Sequence, residues 1–241
     1  MRLSIALLLV ASCSAQDLGR EMGLPLLLNV PSPPIAVRAD GKARLVYELH
    51  IVNTSRKPVR LERVKILGPE QLVELNGEAL TSSLKPTSLG ETAREPVLKA
   101  GEHAVLFLWV TTADPPPASV AHHVLGVLGD DTQPLQATLP ATPVLSGPVR
   151  LRPPVRGEGW VAVNGPANDT HHRRSWLVLE GQSRVPQRFA IDFIRVDREG
   201  QFSKGDAQRN SSFFCYGAEV VAVADATVTA VRDGIEESTP G

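Results

Sequence analysis

The sequence predicts an all-β protein, and three observations support that class. Several stretches alternate apolar and polar residues with a period of two, as strands with one buried face do. Turn-forming pairs such as Asp40-Gly41 and Asn76-Gly77 separate these stretches. Helical spacing of apolar residues is missing between them. With 241 residues, of which 42% are hydrophobic, the chain can bury a core in one large domain or two small ones.

The first half contains four strand-like stretches. They read "ARLVYELHIVN", "PVRLERVKIL", "HAVLFLWVTT" and "SVAHHVLGVLG". Besides the two turn pairs, Ala100-Gly101-Glu102 and a run of three prolines at 115–117 separate them. This spacing of strands is typical of an antiparallel immunoglobulin-like β-sandwich, which we expect over residues 23–147.

A second all-β domain is expected over residues 157–241. Residues 148–156 between the two domains are rich in proline and arginine and predict a stiff linker. Beyond it, short strands are expected in "GWVAVNGP", "SWLVLEG" and "RFAIDFIRV". The last stretch, "EVVAVADATVTAVRDG", predicts two strands joined at about Asp225-Ala226.

Residues 1–15 have the pattern of an export signal. A positive charge at Arg2 precedes a short apolar run that is too short for a transmembrane helix. "VASC" resembles a bacterial lipobox, which would make Cys13 a lipidation site and tether the protein to a membrane; cleavage after Ala15 is the alternative. Both alternatives predict an exported protein of the periplasm or cell envelope.

Charge and cysteine content narrow the function. The formal net charge is −1, so the sequence predicts no nucleic-acid partner. Cys13 and Cys215 are the two cysteines, and with Cys13 lipidated or removed no disulfide can form. Cys215 stands among aromatic residues and is interpreted as a small buried hydrophobe rather than a reactive thiol. His122 and His123 are neighbours on a strand, so we expect one packed and one exposed.

Asp192 is the candidate functional residue, because it is the single carboxylate in the apolar stretch "QRFAIDF". Burying a carboxylate without a partner costs several kcal/mol. Three interpretations of Asp192 are open. Its carboxylate could pair with a nearby arginine, for which Arg188, Arg195 and Arg174 are the candidates. Alternatively, it is an inherited metal ligand whose partner ligands are missing, or a ligand of a metal ion that this protein binds.

The order of motifs in the last third of the chain resembles the lysostaphin-type (LytM-like) zinc metallopeptidases that cleave peptidoglycan. In that family a His-x-x-x-Asp motif supplies two zinc ligands, and a Gly-x-x-Val-x-Ala strand with a tight turn follows. Ile191-Asp192 matches the end of the first block. The second block is matched by Gly217, Val220, Ala222, Asp225 and Val228. The resemblance implies zinc ligation by Asp192 and by His172 or His171 from the preceding loop.

The chain departs from the family at three places. Arg188 stands where the family has its first histidine, and a long polar segment separates Asp192 from Gly217. No histidine follows His172, although the family carries a later His-x-His motif that supplies a further ligand and a catalytic histidine. We therefore assign no catalytic residue and expect an incomplete zinc site. A longer gene product is expected; a complete non-catalytic protein is the alternative.

The resemblance implies an exported protein related to zinc-dependent peptidoglycan endopeptidases, inactive or incomplete as this chain. Its partner would then be peptidoglycan or another component of the cell envelope. The alternative is a non-catalytic envelope-binding or regulatory lipoprotein, which the arginine at position 188 favours. A structural lipoprotein without this kinship is a third hypothesis.

Overall fold

The computed structural model describes residues 23–87, 94–145 and 150–240. The signal peptide predicted at 1–15, with the lipidation site Cys13, lies outside these residues. Strands account for 43% of the structure and helix for 5%, which confirms the all-β class. The chain divides into two compact units, residues 1–145 and residues 146–241. In the described ranges no helix combines the length and the hydrophobicity that a bilayer crossing requires.

The first unit contains ten strands and one short helix in its described residues. They are β1 (Leu26–Asn29), β2 (Ile35–Ala39), β3 (Lys42–Asn53), β4 (Val59–Leu67), β5 (Gln71–Asn76), α1 (Gly77–Ser83), β6 (Leu84–Pro86), β7 (Val97–Leu98), β8 (His103–Thr112), β9 (Ser119–Leu128) and β10 (Leu135–Pro143).

The strands of the first unit form two antiparallel sheets. One has the order β1-β3-β8-β6, with β2 also paired to β3, and the other has the order β10-β9-β4-β5, with β7 also paired to β4. Lettered in chain order, with β1 and β2 sharing the first letter and the two-residue β7 left unlettered, the sheets read A-B-E-D and G-F-C-C′. This is the strand order of an immunoglobulin-like sandwich. The four strands expected from alternation are β3, β4, β8 and β9.

One apolar core lies between the two sheets. Leu45, Tyr47, Leu49 and Ile51 of β3 point into this core, because alternate side chains of a strand share one face. The middle residues on the other face of β3 are buried as well. The core residues from β3, β4, β8 and β9 are Leu45, Tyr47, Leu49, Ile51, Val59, Leu61, Val64, Ile66, Ala104, Leu106, Leu108, Val110, Val120 and Val124. Both sheets contribute to this single cluster, so the unit is stabilised mainly by the burial of this apolar surface.

Several histidine side chains make polar contacts within the sandwich. The Tyr47 hydroxyl hydrogen bonds His122 Nε2 at 2.9 Å in the core. His50 Nδ1 and His103 Nε2 lie 2.9 Å apart and form a partly buried pair. His123 is half-buried. The prediction of one packed residue in the His122-His123 pair is therefore confirmed, but His123 is more covered than expected.

Asn53 fixes the end of β3. Its side chain is fully buried, and its amide nitrogen donates to the carbonyl oxygens of Lys57, Leu98 and Lys99 at 2.8–3.0 Å. The amide oxygen accepts hydrogen bonds from the backbone N–H and the hydroxyl of Ser55. The Asn53 amide therefore joins β3 to the loop that follows it and to the residues around β7.

The predicted turns have different outcomes. Asp40 and Gly41 join β2 to β3 with φ values of 54° and 69°, so this pair forms a two-residue hairpin turn as expected. Asn76 and Gly77 also end a strand, as expected, but the chain continues into a helix: Asn76 ends β5 and Gly77 starts α1. A left-handed φ of 48° at Gly77 turns the chain from strand into helix.

The second unit is less regular. Its strands are β11 (Trp160–Val163), β12 (Leu177–Leu179), β13 (Gln182–Arg184) and β14 (Asp192–Arg195), and a 3-10 helix covers Asn210–Ser212. β11 pairs with β14 and β12 pairs with β13, in both cases antiparallel. Residues 152–155, part of the predicted linker, are hydrogen bonded to residues 220–223 inside this unit.

The two strands predicted within "EVVAVADATVTAVRDG" are wrong. Residues 219–232 form no strand, and their one pairing in the described structure is an isolated bridge from Val220 to Val155. Val228 and Val231 are 78% and 84% exposed. Alternation indicates that a segment can form a strand, but a strand also needs a continuous partner, and the described residues pair with this segment only through residues 152–155.

Candidate metal centre

A two-stranded ribbon positions the first candidate ligand. In the pairing of β11 with β14, Val163 lies opposite Asp192, the first residue of β14. Asn164 follows Val163 directly, with a left-handed φ of 47°. Asn164 and Asp192 therefore lie at the same end of the ribbon, where β11 ends and β14 begins.

A compact turn positions the two histidines. The backbone N–H of Arg174 donates to the carbonyl of Thr170, which closes one helix-like turn around His171 and His172. The Ser175 hydroxyl donates to the carbonyl of His172 at 2.7 Å. The loop expected at these histidines is confirmed, and its internal hydrogen bonds hold it in a defined shape.

The structure brings together the three residues that the sequence singled out. One ligand atom from each of His171, His172 and Asp192 can be chosen so that all three atoms lie within 4.8 Å of one another. His172 Nε2 is 3.5 Å from Asp192 Oδ1. The His172 side chain is 5% exposed and that of Asp192 is 46% exposed. The cluster therefore has a buried side and a side open to solvent.

Asn164 contacts two members of this cluster. Its side-chain amide donates to Asp192 Oδ2 at 2.9 Å, and its backbone carbonyl lies 2.8 Å from His172 Nδ1. A carbonyl only accepts, so Nδ1 carries the proton, and in the neutral ring the lone pair is on Nε2. The sequence reasoning missed Asn164. The Asn164-Gly165 pair after a predicted strand was the available signal, since asparagine tolerates a left-handed φ.

The arginine pairing considered for Asp192 is wrong. In the described part of the chain the Asp192 carboxylate contacts Asn164 and His172, and none of Arg188, Arg195 and Arg174. Arg188, at the position of the family's first histidine, lies in a turn over residues 186–189 and outside β14. The strand predicted at "RFAIDFIRV" is therefore shorter than expected and begins only at Asp192.

His171 has a less constrained environment than His172. It is exposed, and its ring packs against that of His172 with the centroids 4.2 Å apart and the planes tilted by 58°. The structure gives its ring nitrogens no hydrogen bond to a described residue. His171 is thus the ligand candidate that can rotate most easily to meet an ion.

The donor set of the cluster suits a divalent metal ion. Two imidazole nitrogens and one carboxylate oxygen form the set found in catalytic zinc sites, which keep a fourth position open. Bond lengths near 2.1 Å in a tetrahedral site place neighbouring ligand atoms about 3.4 Å apart. The 3.5 Å between His172 Nε2 and Asp192 Oδ1 matches that spacing. The cluster of His171, His172 and Asp192 could therefore hold a metal ion.

Cys215 differs from its predicted environment. Its thiol is free and half-buried rather than buried. It lines a shallow, mainly apolar depression with Phe213 and Tyr216. The depression lies mainly in the segment between Asp192 and Gly217, where a polar surface loop was expected. Cys215 therefore lines a surface depression and is not part of a buried core.

Comparison of the whole sequence with models of known protein families, and with curated proteins, gives no match. The kinship with lysostaphin-type peptidases therefore stays a prediction from the motifs.

Proposed function

We propose that the second unit binds zinc through His171, His172 and Asp192, in an exported cell-envelope protein related to the zinc-dependent endopeptidases of peptidoglycan. The observation that carries the proposal is the convergence of three ligand atoms within 4.8 Å. These residues come from a turn and from a strand that begins about 20 residues later in the sequence, so their meeting is not a consequence of chain proximity.

The hydrogen bonds around the cluster support metal binding. Histidine ligands of zinc almost always donate their second ring nitrogen to a carboxylate or a carbonyl, and His172 Nδ1 donates to the Asn164 carbonyl in this way. Zinc bound by three protein ligands would polarise a peptide carbonyl and lower the pKa of bound water. His172 and Asp192 would hold the ion, and exposed His171 would complete the protein ligands.

A non-catalytic envelope-binding protein is the second candidate function. Arg188 replaces the family's first histidine, and no histidine follows His172. A hydrolytic zinc site needs a group that moves a proton in addition to the ligands, and residues 146–241 contain no histidine besides His171 and His172 for that task. Zinc would then serve to order the loop at the end of β11 and β14.

Zinc titration of the purified chain tests the proposed site. We expect the wild-type chain to bind one equivalent of zinc and Asp192→Ala to bind much more weakly. Glu158→Ala is a matched control, because Glu158 is an exposed carboxylate just before β11 begins, at the end of that strand away from the ligand cluster. Equal zinc affinity for wild type and Asp192→Ala would contradict the proposal.

Incubation of the zinc-loaded chain with insoluble peptidoglycan separates the two candidate functions. Release of soluble fragments, abolished by Asp192→Ala, is expected of an endopeptidase. Retention of the chain on the sediment without release of fragments is expected of a binding protein. A chain that neither cleaves peptidoglycan nor sediments with it would exclude peptidoglycan as the partner.

A further inference from the structure

We infer that Asn164 is a positioning residue that aligns Asp192 and His172 for a metal ion. The inference rests on the proposed zinc site and adds a residue that does not itself ligate. Asn164 contacts the two candidate ligands through two different groups, its side-chain amide and its backbone carbonyl. One residue thereby sets the orientation of both a carboxylate and an imidazole.

The amide contact orients the carboxylate. Asn164 Nδ2 donates to Asp192 Oδ2 at 2.9 Å, while Oδ1 is the oxygen 3.5 Å from His172 Nε2. Rotation of the Asp192 carboxylate would break the first contact. Because Oδ2 is engaged, Asp192 presents one oxygen to the cluster and is favoured as a monodentate ligand.

The carbonyl contact orients the imidazole. His172 Nδ1 donates to the Asn164 carbonyl at 2.8 Å, which directs the opposite nitrogen, Nε2, toward Asp192. The carbonyl points this way because the backbone of Asn164 is left-handed, with a φ of 47°. Asparagine and glycine tolerate this conformation, whereas most other residues are strained in it. Of asparagine and glycine, only asparagine also has a side-chain amide that can donate to Asp192.

Substitution of Asn164 by glycine measures the contribution of the side-chain amide separately from that of the backbone carbonyl. Asn164→Gly keeps the left-handed backbone and the carbonyl acceptor and removes the donor to Asp192. Partners that orient metal ligands typically contribute 10–100-fold to metal affinity. We expect Asn164→Gly to bind zinc about 10-fold more weakly than wild type, with His172 still oriented.

Glu180→Gly is the matched control. Glu180 has a φ of 50° in the exposed turn between β12 and β13, so the control removes a side chain from an equivalent backbone conformation. Wild type and Glu180→Gly should have the same zinc affinity. Asn164→Ala adds backbone strain to the loss of the amide, so we expect a loss of zinc affinity at least as large as that of Asn164→Gly.

Two further measurements report on orientation rather than on stability. The visible absorption of bound Co²⁺ should change in Asn164→Gly and remain the same in Glu180→Gly, because a released Asp192 can rotate and bind with both oxygens. In the metal-free chain, NMR should show one Asn164 side-chain amide proton shifted by its hydrogen bond, and Asp192→Ala should abolish that shift.

The outcomes separate the two proposals. Zinc binding that is lost in Asp192→Ala but unchanged in Asn164→Gly, with the same Co²⁺ spectrum, would overturn the role of Asn164 and leave the zinc site standing. A wild-type chain that binds no zinc would overturn the proposed function and this inference with it. If the metal-free chain shows no shifted amide proton, that result alone would contradict the hydrogen bond from Asn164 to Asp192.

Discussion

His122 lies in the sandwich core with its two ring nitrogens in unequal environments. Nε2 is hydrogen bonded to the Tyr47 hydroxyl, while the structure gives buried Nδ1 no partner among the described residues. Burial lowers the pKa of His122 to about 4, with a smaller contribution from His123. The ring is therefore neutral at pH 7, and its one hydrogen bond offsets part of the cost of burying a polar group.

Tyr47→Phe should destabilise the first unit through this contact. The substitution leaves His122 Nε2 buried without a partner, which costs about 1–3 kcal/mol. Urea titration followed by tryptophan fluorescence measures the change in the free energy of unfolding, in chains where Trp160 and Trp176 are replaced by phenylalanine so that Trp109 in β8 is the reporter. In Tyr47→Phe combined with His122→Leu, the total loss should be smaller than the sum of the two single losses. Additive losses would show that the hydrogen bond contributes nothing.

Acid should destabilise the first unit in a defined pH range. Burial lowers the pKa of His50 to about 4, helped by His103 and opposed by Glu48, and His122 is lowered to a similar value. Histidines in the unfolded chain titrate near pH 6.5, so between these values the unfolded state binds more protons. The free energy of unfolding is therefore highest above pH 6.5, falls as the pH decreases toward 4, and then levels off.

The size of this acid effect is bounded by the pKa shifts. A shift from 6.5 to about 4 corresponds to at most about 3–4 kcal/mol for each histidine. The free energy of unfolding at pH 7, 5.5 and 4.5, again followed by Trp109 fluorescence, measures it. His50→Gln should remove part of the pH dependence. A flat profile between pH 7 and 4.5 would contradict the buried, neutral state of both rings.

At the scale of elements, two hairpins use the same turn with different residues. Glu180 and Gly181 join β12 to β13 with φ values of 50° and 72°, close to those of Asp40 and Gly41 between β2 and β3. Two positive φ values define a type I′ turn, which favours Asn-Gly and Asp-Gly. Glutamate is strained at the first position, whereas aspartate is tolerated there.

Glu180→Asn should stabilise the hairpin of β12 and β13. Relief of the left-handed strain is expected to raise the free energy of unfolding by about 0.5 kcal/mol. Trp176 is a local reporter, because its indole N–H donates to the Ser183 hydroxyl in β13 at 2.8 Å. Glu180→Gln, which removes the charge and keeps the strain, should have no such effect. Equal stabilisation by both variants would assign the effect to charge.

Elements also show what the sequence predicts and what it does not. The strands β3, β4, β8 and β9 follow from alternation, because each has one face in a core that both sheets share. Residues 219–232 alternate as clearly but form no strand, since strand formation depends on a partner distant in sequence. The ligand cluster was foreseen from Asp192 and His172 in a resemblance to known motifs. The Asn164 contact was not foreseen, because it arises from the register of β11 with β14.

At the scale of the whole molecule, the chain consists of two compact units of different character. Among the residues that the structure describes, the first unit has one large apolar core, and the second has four short strands and many exposed apolar residues. A bound ion stabilises the folded state that contains its site. If zinc binds at His171, His172 and Asp192, it should therefore stabilise the folded second unit.

Zinc should raise the unfolding temperature that Trp176 reports in the second unit. At a free zinc concentration 100 times the dissociation constant, the expected stabilisation is about 2.7 kcal/mol. Thermal denaturation with zinc, and again after addition of a chelator, measures the shift and its reversal. A shift of equal size in Asp192→Ala would place the zinc elsewhere.

The buried amide of Asn53 has a consequence for the host in which the protein is produced. Asn53-Thr54-Ser55 has the sequence pattern of an N-glycosylation acceptor. A sugar on Asn53 would replace one of the two amide hydrogens that serve three backbone carbonyls, at a side chain with no exposed surface. The glycosylated chain could not form all the hydrogen bonds by which the Asn53 amide holds the end of β3 to the neighbouring loops. In a eukaryotic secretory host, correctly folded chains should therefore carry no glycan at this position, and intact-mass measurement of the folded fraction would check it.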